Sequence, residues 1–399
     1  MIDLAACKAL DAADPLVSFR QRFDLPDGVV YLDGNSLGPL PSHVPERIER
    51  AVREGWGEGL IRSWNTEGWV DLPYQAGDRI ARVIGREPGT VVVCDSTSVN
   101  LFKVVSAALD MTDRKVVLSD SANFPTDLYV MSSLAELRIV EPDAVIESIT
   151  DEVGVVALTQ VGYATGRMHD MAAITPAAHA AGALMVWDLA HSAGAMPIDL
   201  GDADFAVGCG YKYLNGGPGA PAFLYVRPDL LPAFRNPITG WFGHAAPFDF
   251  SLDFVPAEGI TRARVGTPHV LSLVALDAAL EVFDDVDLDV VREKSVSLTE
   301  TFIQLVDQSE LPLDVVSPRD ASVRGSQVCL RHPDGYAIVQ ALIDRGVIGD
   351  FRSPDVLRFG FAPLYISHVD VFEAVRVLGE VMESGAYRHP RYASRNKVT

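Results

Sequence analysis

Cysteine is scarce in this 399-residue chain, and its four cysteines are far apart with no CxxC pair: Cys7, Cys94, Cys209 and Cys329. This spacing excludes the paired-cysteine metal motifs and gives no framework of disulfides. We therefore expect reduced thiols, a cytoplasmic protein and no bound metal.

Basic residues are a minority, with 33 Lys and Arg against 54 Asp and Glu, so the formal net charge is −21. A surface this acidic repels phosphate backbones and anionic lipid headgroups. We expect no nucleic acid and no membrane among the partners.

Long hydrophobic runs are also missing. The longest uncharged stretch near the middle, residues 171–187, is interrupted by Pro176 and Gly182 and ends at Asp188. This pattern is typical of a buried helix followed by a strand and excludes a membrane span. The first residues lack a basic region followed by an apolar core, so we expect no secretory signal.

Apolar residues make up 48% of the chain, and short apolar runs alternate with helical patterns. Strands are predicted at residues 90–94, 115–119, 154–159, 183–188, 204–209 and 220–226. Helices are predicted from Ser42 to about Trp56 and at residues 72–84, 99–109, 126–134, 171–181, 268–283 and 288–306. This alternation predicts an α/β fold with a mostly parallel sheet between helices.

The length predicts more than one domain, because single cores stop growing near ~250–300 residues. We expect a large domain at residues 41–255 and a smaller α+β domain at residues 256–399, joined by an N-terminal segment at residues 1–40. Ligands of such sheets bind at the carboxyl ends of the strands.

Lys212 follows an apolar strand and precedes a glycine-rich turn in VGCGYKYLNGGPG, residues 207–219. Two interpretations are open for Lys212. It is either an exposed loop lysine or a partly desolvated lysine that forms a Schiff base with a carbonyl cofactor. Asp188 ends the preceding buried strand, where a carboxylate needs a partner. The protonated pyridine nitrogen of pyridoxal phosphate is such a partner, and His191 lies three residues further on.

Two further polar clusters follow strands. The hydroxyls of Thr97 and Ser98 are compatible with helix capping and with a phosphate site at a helix N-terminus. Neither GxxxxGKS nor GxGxxG occurs, which favours a small phosphorylated cofactor over a nucleotide. In NFPTD, residues 123–127, Phe124 is suited to stack on a pyridine ring, and Thr126 and Asp127 to hold its polar edge.

In this order, the clusters resemble the fold-type I pyridoxal-phosphate enzymes and, specifically, the kynureninase family. The segments that carry the resemblance are YLDGNSLG (31–38), FPTD (124–127), DLAH (188–191), YKYLN (211–215) and GWFGH (240–244). The resemblance covers nearly the whole chain. It implies an aspartate-aminotransferase-like large domain that binds pyridoxal 5'-phosphate, and a homodimer with active sites at the interface. It also implies hydrolysis of L-kynurenine to anthranilate and L-alanine in tryptophan breakdown, with 3-hydroxykynurenine as an alternative substrate.

Residue by residue, the resemblance makes Lys212 the Schiff-base lysine, Asp188 the partner of the pyridine nitrogen and Tyr211 a phosphate ligand and general acid. It implies that Trp241 reaches the phosphate from the other subunit. The remaining cofactor contacts that it implies are Thr97, Ser98, Phe124, Thr126, Asp127, Thr159, His191 and Thr267, and the substrate contacts are Asn35, Ser36, Trp64, Gly266 and Arg358. Arg358 matches the arginine that holds the substrate α-carboxylate; the alternative for it is a surface ion pair.

Three positions depart from the pattern of the family or of its animal relatives. Thr267 stands where members often carry asparagine, and Trp64 where animal relatives that act on 3-hydroxykynurenine have a nearby histidine; in those relatives serine also precedes the asparagine, at the position of Gly266. These residues offer few polar partners to a ring hydroxyl, which favours unsubstituted L-kynurenine. Core packing is the alternative for Trp64.

Two other functions remain open. A cysteine desulfurase or selenocysteine lyase of the same fold needs a reactive cysteine near Arg358, whereas Cys329 lies in an apolar strand pattern, QVCL. A cofactor-bound regulator or scaffold with a degenerate site is disfavoured by the joint presence of Lys212, Asp188 and Arg358.

Overall fold

The computed structural model describes residues 1–395. Its strands are β1 Phe23–Asp24, β2 Val30–Tyr31, β3 Leu40–Pro41, β4 Val91–Val93, β5 Val116–Asp120, β6 Glu136–Val140, β7 Val153–Thr159, β8 Leu184–Asp188, β9 Phe205–Cys209, β10 Ala222–Val226, β11 Asp314–Val315, β12 Gln327–Arg331, β13 Val347–Ile348, β14 Asp350–Arg352 and β15 Val356–Gly360. Its α-helices are α1 Leu4–Ala12, α2 Val44–Arg50, α3 Ser63–Thr66, α4 Leu72–Val83, α5 Thr97–Asp110, α6 Pro125–Leu134, α7 Met171–Ala180, α8 Val270–Leu280, α9 Leu288–Gln308, α10 Gly335–Ile343 and α11 His368–Glu383.

The central sheet has seven strands in the order β4-β10-β9-β8-β7-β5-β6. The five strands from β9 to β6 are parallel, and β10 runs antiparallel to both of its neighbours. The prediction of a mostly parallel sheet is therefore confirmed. The carboxyl ends of β5, β7, β8 and β9 meet at one edge of the sheet.

Apolar side chains cover both faces of this sheet. Along β7, Val155 and Ala157 face the core beneath α5, whereas Val156 and Leu158 face the core that α7 and α8 close. Alternate residues of a strand point to opposite faces, so a strand buried on both faces needs a continuous apolar run. This requirement explains the VGVVALT sequence of β7.

The C-terminal part contains a second sheet of four antiparallel strands in the order β11-β12-β15-β14. β13 pairs in parallel with β2, and α11 packs against α1 and α9, so the N-terminal segment contacts the C-terminal part of the chain. α8 packs against α2 and α4. The domain boundaries at residues 40/41 and 255/256 stay a prediction.

Three local predictions differ from the structure. The helix expected from Ser42 to Trp56 begins at Val44 and continues after Arg50 as a π-helix over Ala51–Gly59. Ser42 does not cap it, because the Ser42 hydroxyl donates to Asp24 instead, at 2.6 Å. The strand β6 was not predicted, and Trp64 lies in the short helix α3.

No helix within residues 1–395 is long and apolar enough to cross a membrane.

Candidate active site

Lys212 follows β9, and its side chain points toward the loop that follows the neighbouring strand β8. Lys212 Nζ lies 3.1 Å from Nε2 of the buried His191. Burial lowers the pKa of Lys212, and it lowers the pKa of His191 well below the ordinary value of an imidazole. The lysine therefore faces a neutral imidazole, and its ammonium loses its proton more readily than that of an exposed lysine, which makes the nucleophilic amine more accessible.

Asp188 ends β8 and is buried beside Thr159, its register partner at the end of β7. One carboxylate oxygen of Asp188 accepts the backbone N–H of Ala190 at 2.8 Å. The Asp127 carboxyl faces Asp188, and its pKa is raised well above the ordinary value by burial and by the charge of Asp188. Burial raises the pKa of Asp188 as well, but the charge of Lys212 opposes this shift. The pair therefore holds a proton on Asp127 and a negative charge on Asp188.

Hydrogen bonds of Asn123, a residue for which no role was predicted, hold the loop before α6 in place. Its Oδ1 accepts the Thr159 hydroxyl at 2.5 Å and the backbone N–H of Phe124 at 2.7 Å. The Phe124 ring is 41% exposed and meets Tyr163 edge to face, with 5.2 Å between ring centroids. Thr126 lies half-buried in the first turn of α6. An exposed aromatic ring thus lies above the edge of the sheet.

The N-terminus of α5 lies directly after β4. Ser96 caps the helix through its hydroxyl, which accepts the Val99 N–H, and the half-buried Thr97 and Ser98 are the first two helical residues. Free N–H groups and the helix dipole make this helix end suited to an anion.

Beneath this turn lies Lys103, a fully buried lysine that sequence analysis missed. Its ammonium donates to the Asp95 carboxylate and to the carbonyl oxygen of Ala263, at 2.9 Å from the latter. The available signal was a lysine on the mostly apolar face of α5, three residues after Asn100, because a buried charge needs a partner. Lys103 joins the start of α5 to the segment that precedes Gly266.

Tyr211 precedes the lysine, and its ring centroid is 5.8 Å from Lys212 Nζ. Burial raises its pKa, so the phenol stays protonated. The Tyr211 carbonyl accepts the N–H of Gly38 at 2.8 Å. A Cβ atom at Gly38 would lie 2.4 Å from the Lys212 carbonyl oxygen, so only glycine lets the N-terminal segment approach this loop.

Arg358 is buried on β15 opposite Asp350 of β14, so the alternative of a surface ion pair is wrong. Its Nε donates to Asp350 Oδ1 at 2.8 Å, its Nη2 donates to both Asp350 and the Ser36 hydroxyl, and its Nη1 donates to the Tyr163 carbonyl at 3.0 Å. Arg352 lies 2.7 Å from the same carboxylate.

Sequence analysis missed Asp350 and Arg352. β14 is only three residues long, so the sequence offered no periodic signal for these two residues. Asn35, adjacent to Ser36, is fully buried and donates to Gln327 at 3.3 Å.

A second group of predicted residues lies apart from Lys212. Trp64 and Trp241 both contact the Phe242 ring, at centroid distances of 6.1 and 4.3 Å. Together with Thr267 they line a cavity of about 600 Å³, and neither Lys212 nor Asp188 lines it. Gly266 and Thr267 also border a crevice beside Asp95, next to the start of α5.

Comparison with known proteins places this arrangement in a family. Residues 291–378 match the kynureninase C-terminal domain. The chain is 53% identical to a kynureninase of Deinococcus radiodurans over 397 residues, which cover 96% of this chain and 97% of that protein. It is 48% identical to a kynureninase of Pseudomonas fluorescens, over 98% of this chain and 99% of that one.

A cysteine desulfurase from Thermococcus onnurineus has the same fold, with a TM-score of 0.78 at 20% sequence identity, over 92% of this chain and 98% of that structure. This likeness confirms the fold-type I prediction. At about half identity over nearly the full length, the chain belongs to the kynureninase family.

Proposed function

We propose that this protein hydrolyses L-kynurenine to anthranilate and L-alanine, with pyridoxal 5'-phosphate as its cofactor. The observation that carries the proposal is the meeting of Lys212 and Asp188 at the ends of two adjacent parallel strands, in a chain about half identical to kynureninases. Four unpaired cysteines support a cytoplasmic location, where thiols stay reduced.

The residues fit the cofactor by their chemistry. Lys212 offers an amine with a lowered pKa, Asp188 offers one buried negative charge, and α5 offers free N–H groups. When bound, pyridoxal phosphate supplies an electron sink for negative charge that develops at the substrate's α-carbon. Asp188 would keep the pyridine nitrogen protonated, and Phe124 would cover the ring. The other residues that would hold the cofactor are Thr97, Ser98, Thr126, Asp127, Thr159, His191 and Tyr211, with Trp241 and Thr267 from a second subunit.

Two side chains are suited to move protons. Lys212 Nζ would take the proton from the substrate's α-carbon, because burial favours its neutral form. The phenol of Tyr211 would donate a proton, since burial keeps it protonated at neutral pH. Water would then attack the γ-carbonyl carbon, and the bond between the β- and γ-carbons would break.

The substrate's α-carboxylate would bind at Arg358 and Arg352. Asp350 already occupies Nε and one N–H of Nη2 of Arg358, so the arginine cannot offer its full fork to a carboxylate. Arg352 is 32% exposed and supplies further N–H donors beside it. We therefore assign the carboxylate to both arginines, with Asn35 and Ser36 completing the subsite.

A homodimer with its active sites at the interface is part of the proposal. Trp241 is 40% exposed and stacks with Phe250, which is 75% exposed, and Ile61, which lines the same cavity as Trp241, is 77% exposed. An apolar surface of this extent favours association. Because Trp241 and Thr267 lie apart from Lys212, the second copy is the natural source of these residues for each site.

The ring pocket favours unsubstituted L-kynurenine over its 3-hydroxy form. Trp64 offers an apolar wall, and the open space around Gly266 contains no donor. A buried ring hydroxyl without a partner would cost about 1–3 kcal/mol.

The site disfavours a cysteine desulfurase, despite the shared fold. Such an enzyme needs a reactive thiolate, whereas Cys329 is fully buried and burial raises its pKa to about 12. Burial also raises the pKa of the other three thiols.

The test is a coupled pair of measurements on purified protein. Supplied with pyridoxal phosphate, the protein should gain the visible absorbance of a lysine-bound cofactor and release fluorescent anthranilate from L-kynurenine. Formation of alanine from cysteine, with the sulfur released as sulfide once a thiol reductant is added, and no anthranilate would identify a desulfurase. Cofactor binding without either activity would identify a non-catalytic protein.

A further inference from the structure

Asp33 is an acidic residue beside Arg352 and Arg358, the arginine pair, and it takes no part in the proposed reaction. It follows β2 and forms a parallel bridge with Gly360 at the end of β15. Its backbone carbonyl accepts the N–H groups of Ser36 and Leu37 at 2.9 and 3.0 Å. This turn holds the Asp33 carboxyl against Asp350, and Oδ1 of Asp33 is buried without a hydrogen-bond partner among residues 1–395.

The two carboxyls differ in protonation. Asp350 accepts hydrogen bonds from Arg358 and Ser36 and forms an ion pair with Arg352, and the arginines lower its pKa although burial opposes them. Burial and the charge of Asp350 raise the pKa of Asp33 to about 8. The pair therefore carries one proton at neutral pH, and Asp33 holds it.

The other groups that face Asp33 do not change charge near this pH. Tyr31, Tyr213 and Tyr365 all interact with Asp33, and burial raises the pKa of each phenol. The charges that remain are Arg352, Arg358 and Asp350. With Asp33 protonated the cluster has one net positive charge, and with Asp33 ionised it has none.

We propose that Asp33 is a positioning residue that controls the charge of the carboxylate subsite. Protonated, it leaves the arginine pair one positive charge for the incoming carboxylate; ionised, it cancels that charge and competes with the ligand for the arginines. The proposal rests on the proposed function, because it takes the arginine pair as the site of the substrate's carboxylate.

The coupling between ligand binding and ionisation of Asp33 determines how the affinity changes with pH. A carboxylate that binds the protonated cluster more tightly must raise the pKa of Asp33, so binding takes up a proton near and above pH 8. Each unit by which the ligand raises this pKa weakens binding about tenfold once Asp33 is ionised. Affinity is therefore highest at pH 7 and falls as the pH rises.

The test uses the substrate without its α-amino group, 4-(2-aminophenyl)-4-oxobutanoate, as a competitive inhibitor of the holoenzyme. Without the amine, its inhibition constant reports the carboxylate subsite and not chemistry at the cofactor. From pH 7 to pH 9.5 we expect the constant to rise about tenfold in the wild type and less than about twofold in Asp33→Asn, whose amide stays neutral. Asp27→Asn, an exposed acid in the same segment, is the charge-matched control and should follow the wild type.

A second measurement needs no variant. Calorimetry of the inhibitor with wild-type holoenzyme at pH 8.5, in two buffers of different ionisation enthalpy, should show net proton uptake, and the methyl ester of the inhibitor should show none. A pH-independent inhibition constant, an alkaline rise that persists in Asp33→Asn, or binding without proton uptake would each overturn the role of Asp33. Failure of the proposed function is distinguishable, because the wild type would then release no anthranilate at any pH.

Discussion

Lys212 Nζ lies 3.1 Å from Nε2 of His191, and the two side chains come from loops that follow adjacent parallel strands. Burial lowers the pKa of both groups, and the charge of Lys212 lowers that of His191 further, whereas the charge of Asp188 acts to raise the pKa of Lys212. The Lys212 ammonium therefore gives up its proton more readily than that of an exposed lysine. Several expected results depend on this arrangement and on the residues around it.

Replacement of the lysine tests its role directly. Lys212→Ala should abolish anthranilate release and leave the fold intact, because the side chain has no other partner than His191 in the hydrogen-bond network described. Anthranilate fluorescence, circular dichroism and peptide mapping after borohydride reduction check this. Lys8→Ala, at an exposed lysine of α1, is the control. A reduced cofactor adduct on another lysine would contradict the assignment.

The two buried carboxyls should respond differently to amide substitution. Asp188→Asn should lose most activity, by about 10²–10³-fold in kcat, because a neutral amide cannot hold the proton of the pyridine nitrogen. Asp127→Asn should lose much less, since Asp127 is already uncharged beside Asp188. Steady-state kinetics on both variants, with cofactor content measured by absorbance, compare them. Equal losses would mean that the charge is not localised on Asp188.

Lys103, the buried lysine of α5, should stabilise the fold around the start of this helix and thereby the cofactor site. Lys103→Met leaves Asp95 without its ion pair and should lower the free energy of unfolding by about 3 kcal/mol. The double variant Lys103→Met with Asp95→Asn should recover part of this loss. Chemical denaturation of the apoprotein gives the stability, and cofactor titration gives the accompanying change in affinity.

Subunit complementation tests the shared active site. Lys212→Ala and Trp241→Ala should each be inactive or nearly so, but a refolded equimolar mixture should recover about a quarter of the wild-type activity. In a mixed dimer one site receives the intact lysine of one chain and the intact tryptophan of the other. No recovery, with mixed dimers present by mass spectrometry, would place both residues in the site of one chain.

Substrate preference should depend on Trp64, Gly266 and Thr267. We expect kcat/KM to favour L-kynurenine, and the triple variant Trp64→His, Gly266→Ser, Thr267→Asn to shift preference toward 3-hydroxykynurenine. No atom lies within 4 Å of a Cβ built at Gly266, so serine fits there. Both substrates must be measured on both proteins. A wild type that already prefers the hydroxylated ring would refute this account of the pocket and leave the reaction itself unaffected.

The positions of Asp188 and Lys212 could be predicted because parallel strands align their carboxyl ends, and a buried apolar run identifies each strand. The same reasoning missed Asp350 and Arg352. They lie on β14, a three-residue strand too short for a periodic signal, and they meet Arg358 only through antiparallel pairing.

Contacts between residues far apart in the sequence could not be predicted either. Nothing in the local sequence of Lys103 indicates that its ammonium reaches the carbonyl of Ala263. Local patterns also did not indicate that Trp64 and Trp241 line a cavity that excludes Lys212. Trp64 lies before the central sheet in the sequence and Trp241 after it, so their proximity depends on the tertiary fold.

The pairing of β2 with β13 determines the order in which the protein is completed. Val30 leaves the ribosome early, but its partner Val347 is synthesised only after most of the chain. The central sheet contains all of its strands by Val226 and can form before this pairing exists. Asn35 and Ser36 then reach Arg358 only after synthesis has passed the last strand, β15. The carboxylate subsite therefore forms only after the strands that carry Asp188 and Lys212 are complete, so the order of synthesis separates the lysine pocket from the subsite that binds the substrate's carboxylate.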